Sequence, residues 1–359
     1  MSRRALVAGL VLAAALPATP AARVTLAPSV GLTTVARGMG TPSNLAFGAR
    51  GAMWTTSAAY GVSADDGVWL TRRPGARPVH VVRGLRTALG LVWHRGELYV
   101  SFVTGDRGRI DAYSRFDGGR FGRRRTVLSN LPVGQHNVNS IAAGPDGRLY
   151  VGIGSVGDAR RGPDRRSAAV LSFLPSGRAV RVEARGLRNP FGLAFIPGTR
   201  DLLVSDNGRD DLGLSGPPDE LNLVRTAGPA RDFGFPRCPA PGGGDCRGVM
   251  APLVRLAPHA AAAGVAVSPR FGSYGLTAFV AENGSSFAAN PTGGDVIAVL
   301  LRPRRGGYRA VRRRLGAGFG RFGPAGAAVA RDGSLWVTLL RSGRIVRFRP
   351  PVQRRSTVG

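Results

Sequence analysis

The stretch "GLRNPFGLAF", residues 186 to 195, places Arg188 and Asn189 directly before Pro190 and an apolar run. Arginine keeps its charge and presents a planar fork of donors, so Arg188 could hold a carbonyl oxygen and stabilise negative charge developing on it. Asn189 offers a donor and an acceptor side by side. Pro190 pushes Asn189 into an extended conformation, which fixes the direction of both side chains. The competing reading of Arg188 is an ion pair with a carboxylate on a neighbouring element. His136, in "PVGQHNV", is one of four histidines, with His80, His94 and His259. A neutral imidazole can take the proton of a hydroxyl while hydride leaves the attached carbon. Its competing reading is a satisfied loop histidine. The acid-rich "SDNGRDD", residues 205 to 211, invites a calcium reading, but it lacks the closing glutamate of a helix-loop-helix site.

Such residues need a scaffold, and the chain supplies one by repetition. A turn-bounded pattern begins at Pro42 ("PSNLAFGARGAMWTT"), Ala88, Val138, Pro190, Ala262 and Pro324, at intervals of 46 to 72 residues. Each unit reads as a β-hairpin whose "PDG"-type turn returns an alternating strand, and a third strand such as "GRIVRFRP" usually follows. Six self-similar units with about four antiparallel strands each predict an all-β, six-bladed β-propeller over residues 28–350. The two longest intervals imply insertions. Loops entering the innermost strands should gather at one mouth of the central channel, which is where His136, Arg188 and Asn189 fall.

The chain has 359 residues, 53 of them glycine and 26 proline, which suits many short elements joined by tight turns. Residues 1–22 read as an export signal: Arg3 and Arg4 precede the apolar "ALVAGLVLAAAL", which is too short to span a bilayer. No later stretch reads as a membrane span. The expected product is exported, with residues 351–359 as a tail. Cys238 and Cys246, in "CPAPGGGDC", read as a short-loop disulfide. The formal charge of +29 comes from arginine alone, since lysine is absent. Its clusters are scattered without interleaved aromatics, so specific nucleic-acid binding is not expected. Non-specific contact with acidic envelope polymers is the simpler consequence.

Residues 186–224 carry a family likeness. The "G-x-RNP-x-GLAF" run, the "DNGRDDLG" loop and the "PPDELN" segment occur in order, with "QHNVNSIAAGPDGRLYVGIGS" upstream and "DFGFPRC" downstream. Together they resemble the pyrroloquinoline-quinone-dependent glucose and sorbosone dehydrogenases, particularly the sorbosone branch. The resemblance implies a sugar substrate, quinone and calcium as cofactors, and an electron acceptor it does not specify. It makes His136 the general base, sets Arg188 and Asn189 on the quinone, and assigns the carbonyls of Gly208 and Arg209 to a calcium ion that also binds the quinone. It leaves His259 at a family position without a role. Three departures stand out. Ser155 replaces the aspartate that orients the histidine in glucose-oxidising members, with Asp158 nearby; Arg321 is displaced from an Arg-Pro pair; and no lysine is available to the cofactor. Two other classes stay open: a catalytically decayed propeller that binds carbohydrate or a cell-envelope polymer, and a metal-dependent lactone hydrolase using Glu220, Asn189 and Asn207. The literal GxGxxG matches "GIGSVG" and "GFGRFG" lack the strand-then-helix context of a dinucleotide site.

Overall fold

The computed structural model describes residues 24–59, 66–239, 243–284 and 292–351. The export signal and all of the tail beyond Pro351 lie outside the described residues. Six sheets of four or five strands, antiparallel except for one short edge pair, follow one another along the chain. Their innermost strands are Pro42–Phe47, Gly90–His94, Val138–Ala143, Pro190–Phe195, Ala262–Ser268 and Pro324–Val329, which define blades I to VI. These are the six repeats read from the sequence, and the fold is a six-bladed β-propeller. The only helix among the described residues is one 3-10 turn, Gly272–Tyr274.

The ring is closed by chain ends that meet. Gly31–Arg37 pairs antiparallel with Arg344–Arg349 as the outermost strand of blade VI. Thr25–Leu26 adds to the outer strand of blade V, and Arg231–Asp232 runs parallel to Arg181–Arg185 at the edge of blade III. Composition follows position in the blade. Leu149–Ile153 and Leu335–Leu339 are second strands, covered on both faces by neighbouring blades, and every residue in them is buried. The outermost strands Phe121–Leu131 ("FGRRRTVLSNL") and Gly307–Ala317 ("GYRAVRRRLGA") are largely exposed and carry runs of arginine. The core therefore lies between blades. Phe271, Phe279, Val337 and Phe348 fill the space between blades V and VI, and Tyr99, Ile141 and Phe173 that between blades II and III. Full burial of side chains this size stabilises by roughly 1.5–3 kcal/mol each.

The innermost strands converge on a neck. A Cβ on Gly192 would lie 2.5 Å from Val265 N, and one on Gly264 would lie 2.5 Å from Ala325 O. Only the absence of a side chain lets adjacent backbones come this close. The equivalent positions in blades I and III hold Asn44 and Ser140 instead. Asn44 Nδ2 donates to Leu89 O at 3.0 Å and to Ser140 Oγ at 2.9 Å, reaching from blade I to blade III. The ladder slips register at this level in blades I, III, IV, V and VI. Below the neck, Leu45, Leu91, Ile141, Leu193, Val265 and Ala327 line a cavity of about 300 Å³.

Candidate functional site

All the innermost strands run away from one mouth, so the residues just before them, and those just after the second strands, share that end. His136 lies two residues before Val138–Ala143, and Gly154 follows the second strand of the same blade. A Cβ on Gly154 would strike that of His136 and lie 3.0 Å from Asn189 Oδ1, so this glycine lets the two side chains approach. His136 Nδ1 is 3.1 Å from Ser155 O and 3.0 Å from Ser155 Oγ. The Ser155 hydroxyl already donates to Gly157 O at 2.8 Å, so both oxygens can only accept. Nδ1 therefore carries the proton, and Nε2 keeps its lone pair. No hydrogen bond engages Nε2 among the described residues. Burial, reinforced by the Arg188 charge, lowers the His136 pKa to about 4. The imidazole is neutral at any ordinary pH and competent as a base.

Ser155 thus stands where the histidine needs a partner. Asp158 does not share that task, because it is turned to Arg188.

Arg188 is 2% exposed. Its Nη2 bonds Asp158 Oδ1 and, at 2.7 Å, Asp210 Oδ2, while Nε donates to Asp158 O at 3.2 Å. Asp158 belongs to blade III, so the cross-blade ion pair weighed for this residue is present. Nη1 makes a single long contact, 3.4 Å to Asn207 O, and keeps donor capacity. The two carboxylates hold the guanidinium plane and leave that edge free.

Asn189 Nδ2 donates to Asn207 Oδ1 at 2.8 Å, and its Oδ1 accepts from Asn139 Nδ2 at 2.9 Å. Its backbone N–H, like that of Arg188, donates to Asp206, at 2.6 and 3.0 Å. Asp206 is buried. Burial first and Glu220 second raise its pKa to about 8, against the pull of those two donors. Asn207 spends its own amide on Ala262 O at 2.8 Å. The carboxamides of Asn189 and Asn207 thus face each other rather than a common ion, and Glu220 accepts from Asn222 at 3.1 Å. No convergence of the lactone-hydrolase kind is present among these three.

Gly208 and Arg209 follow Asp201–Asp206. The Gly208 N–H donates to Asp219 Oδ1 at 2.9 Å, and Asp219 Oδ2 accepts from Ala262 N at 2.9 Å, tying this loop to blade V. A Cβ on Gly208 would meet Pro217 O at 2.6 Å. The carbonyls of Gly208 and Arg209 accept no hydrogen bond among the described residues. Behind them Asp206, Glu220 and Phe233 line a space of about 30 Å³. Among the described residues no group of three or more His, Cys, Asp or Glu could hold a metal ion, so a cation at this loop would rest mainly on peptide oxygens. The Arg209 side chain pairs with Asp211, Nε to Oδ1 at 2.8 Å.

The remaining histidines are otherwise employed. His259 is buried, with Nε2 donating to Gly213 O at 2.9 Å and Nδ1 3.1 Å from Asp210 Oδ1, so it anchors the loop that carries Asp210. His80 stacks on Trp69, and His94 lies at the opposite end of the ring. Arg321, in the loop before blade VI, is exposed and packs over Phe322 at 5.9 Å. Two residues escaped the sequence reading: Asn139, which orients Asn189, and Asp219, which stitches the Gly208 loop to blade V. Asn139 could have been found as a polar residue in a largely apolar strand, "VNSIAA", whereas Asp219 stands among other polar residues in "PDELNLVR". The cysteines form the expected Cys238–Cys246 disulfide in the blade IV insertion.

With this geometry in place, the chain can be compared with known proteins. No protein-family model matches it. Among curated proteins, 89 residues (25% of this chain) align at 36% identity with an uncharacterised protein of Borreliella burgdorferi, and the match spans 23% of that protein's length. Solved structures cover far more. The calcium structure of a Carbohydrate-Active Enzymes Family AA12 protein from Trichoderma reesei superposes with TM-score 0.75 at 18% identity, covering 93% of this chain and 98% of that one. The holo form of the pyranose dehydrogenase PQQ domain from Coprinopsis cinerea gives 0.74 at 17%, covering 92% and 98%. A Thermus thermophilus protein described as an oxidoreductase of the glucose dehydrogenase type gives 0.72 at 25%, covering 89% and 99%. This chain has their fold. The six-bladed fold that the "RNP-x-GLAF" resemblance implied is thus the fold of structures described as a pyranose dehydrogenase PQQ domain and as a glucose dehydrogenase.

Proposed function

We propose that the protein is a sugar oxidoreductase that uses pyrroloquinoline quinone and calcium at the mouth defined by His136, Arg188, Asn189, Gly208 and Arg209. One observation carries the reading: His136 presents an unpartnered, neutral Nε2 within reach of the Arg188 charge, and Arg188 still has donors to give. The fit to the cofactors rests on the donor set. A quinone bearing carboxylates suits Arg188 Nη1 and the spare N–H of Asn189, and a hard cation suits the unpartnered Gly208 and Arg209 carbonyls. When bound, the quinone supplies a two-electron acceptor, with calcium as a fixed positive charge beside it.

The chain's own residues do the rest. His136 Nε2 takes the proton of a sugar hydroxyl as that carbon is oxidised, and Ser155 holds the ring in the tautomer that permits it. Arg188, fixed by Asp158 and Asp210, points donors towards developing negative charge without having to reorganise. Asp206 and Asp219 fix the backbone on either side through four N–H bonds. In this reading residues 1–22 direct the protein out of the cytoplasm, and no helix of the described residues is long and apolar enough to cross a membrane.

The test is reconstitution with the quinone and calcium, then a dye-linked assay over aldoses and sorbosone. Turnover that disappears on chelation of calcium and returns on its addition is the expected result. Absence of both turnover and any quinone-induced spectral change would remove the reading. The occupation of Arg188 by two carboxylates favours one other reading, a catalytically silent propeller that binds carbohydrate. Its signature would be unchanged glycan binding by a His136→Ala, Arg188→Ala double variant.

A further inference from the structure

At the opposite end of the ring, the turns that follow the innermost strands of blades I, II and VI surround a cleft of about 790 Å³. That volume is in the range of small-molecule sites. Its walls are aromatic: Trp54, Trp93 and Phe116 pack edge-on, with the Trp54 and Trp93 rings 5.1 Å apart. Polar atoms inside it lack partners. Trp93 Nε1 and His94 Nε2 are buried without a hydrogen bond. The two indole N–H groups converge beside Gly48, where a Cβ would lie 2.9 Å from Trp54 Nε1 and 3.6 Å from Trp93 Nε1. A side chain on Gly48 would therefore press on both indoles beneath the cleft. Arg50, Arg95 and Arg331 stand exposed on the rim, and none makes an ion pair among the described residues. The one acid there, Asp117, is already satisfied by Arg120 and by the N–H groups of Gly119 and Arg120.

These groups set the chemistry of a ligand. The exposed guanidinium groups only donate, so the ligand must present acceptors. Unpaired guanidinium forks match carboxylates. The half-buried rings of Trp93 and Phe116, backed by the buried Trp54, match the apolar face of a ring. A ring with many acceptor oxygens, one apolar face and a carboxylate is a sugar acid. We infer that the cleft between blades I and II binds an acidic saccharide, a pyranose ring bearing a carboxylate. This site is independent of the mouth and of the redox reading placed there.

Trp54 and Trp93 are two of only four tryptophans, so their emission reports directly on the cleft. The full-length protein is titrated with trigalacturonate, with its uncharged methyl ester and with inorganic phosphate. Expected is a saturable change with trigalacturonate, at least tenfold weaker binding of the ester, and no response to phosphate. An Arg50→Gln, Arg95→Gln double variant should bind at least tenfold more weakly while melting at the parental temperature. His136→Ala should bind as the parent does, which separates this cleft from the mouth. Equal affinity for the ester, parental affinity in the double arginine variant, loss of binding in His136→Ala, or no response to trigalacturonate would each overturn the assignment.

Discussion

His136 and Arg188 show how differently two polar residues at one mouth are held. The histidine has one nitrogen committed and one open, so His136→Gln should leave the fold intact and lower kcat by roughly 10²–10⁴-fold, as expected for loss of a general base. Because burial and Arg188 press its pKa from 6.5 to about 4, the rising limb of kcat/KM should sit near pH 4. The same depression has a consequence for stability. The unfolded chain binds this proton more readily, so His136 makes the fold less stable as pH falls from 6.5 towards 4. His136→Gln should reduce that loss in denaturant titrations across the window, and a variant that loses stability just as the parent does would contradict the assigned environment. Arg188→Gln should abolish most turnover and also destabilise, since it strands Asp158 and Asp210. The cost should fall below the ~3–5 kcal/mol typical of a fully buried pair, because those carboxylates keep 19% and 29% exposure. Urea melts of the variant check the magnitude.

At the scale of elements, the neck glycines divide one blade from the next. Gly264→Val would drive two methyl groups towards the Ala325 carbonyl, and overpacking of this kind costs about 1–3 kcal/mol. A thermal melt at parental temperature would show that the blades can part without penalty. The repeats were legible in the sequence because each innermost strand repeats a small-residue, apolar pattern bounded by turns. "PFGLAF", "AAGVAV" and "PAGAAV" announce the same strand three times. The mouth was legible for the same reason, since whatever precedes such a strand must lie there. What the sequence hid was long-range pairing. Nothing near Arg188 in sequence marks Asp158, 30 residues away, as its partner. Nor does "GLTTVAR", exposed at several positions, declare itself the outer strand of the last blade. Asp219 was likewise hidden, for its two N–H partners come from different blades.

For the whole molecule, closure of the ring depends on that same segment. A chain beginning at Gly38 lacks Gly31–Arg37, leaving the edge of Arg344–Arg349 unpaired and open to other chains. It should lose cooperative melting and aggregate, whereas a chain beginning at Pro28 should melt within a few degrees of the parent; circular dichroism on both settles the matter. The bridge from Asn44 to Ser140 bears on traffic as well. It lies across the axis between the mouth and the cavity beneath, and a neck this narrow would bar a sugar from passing through. Under the proposed chemistry, sugar and electron acceptor must use a single doorway in turn, and each product must back out before the next visitor enters. Steady-state plots against the two reactants should then run parallel, with either one inhibiting when in large excess.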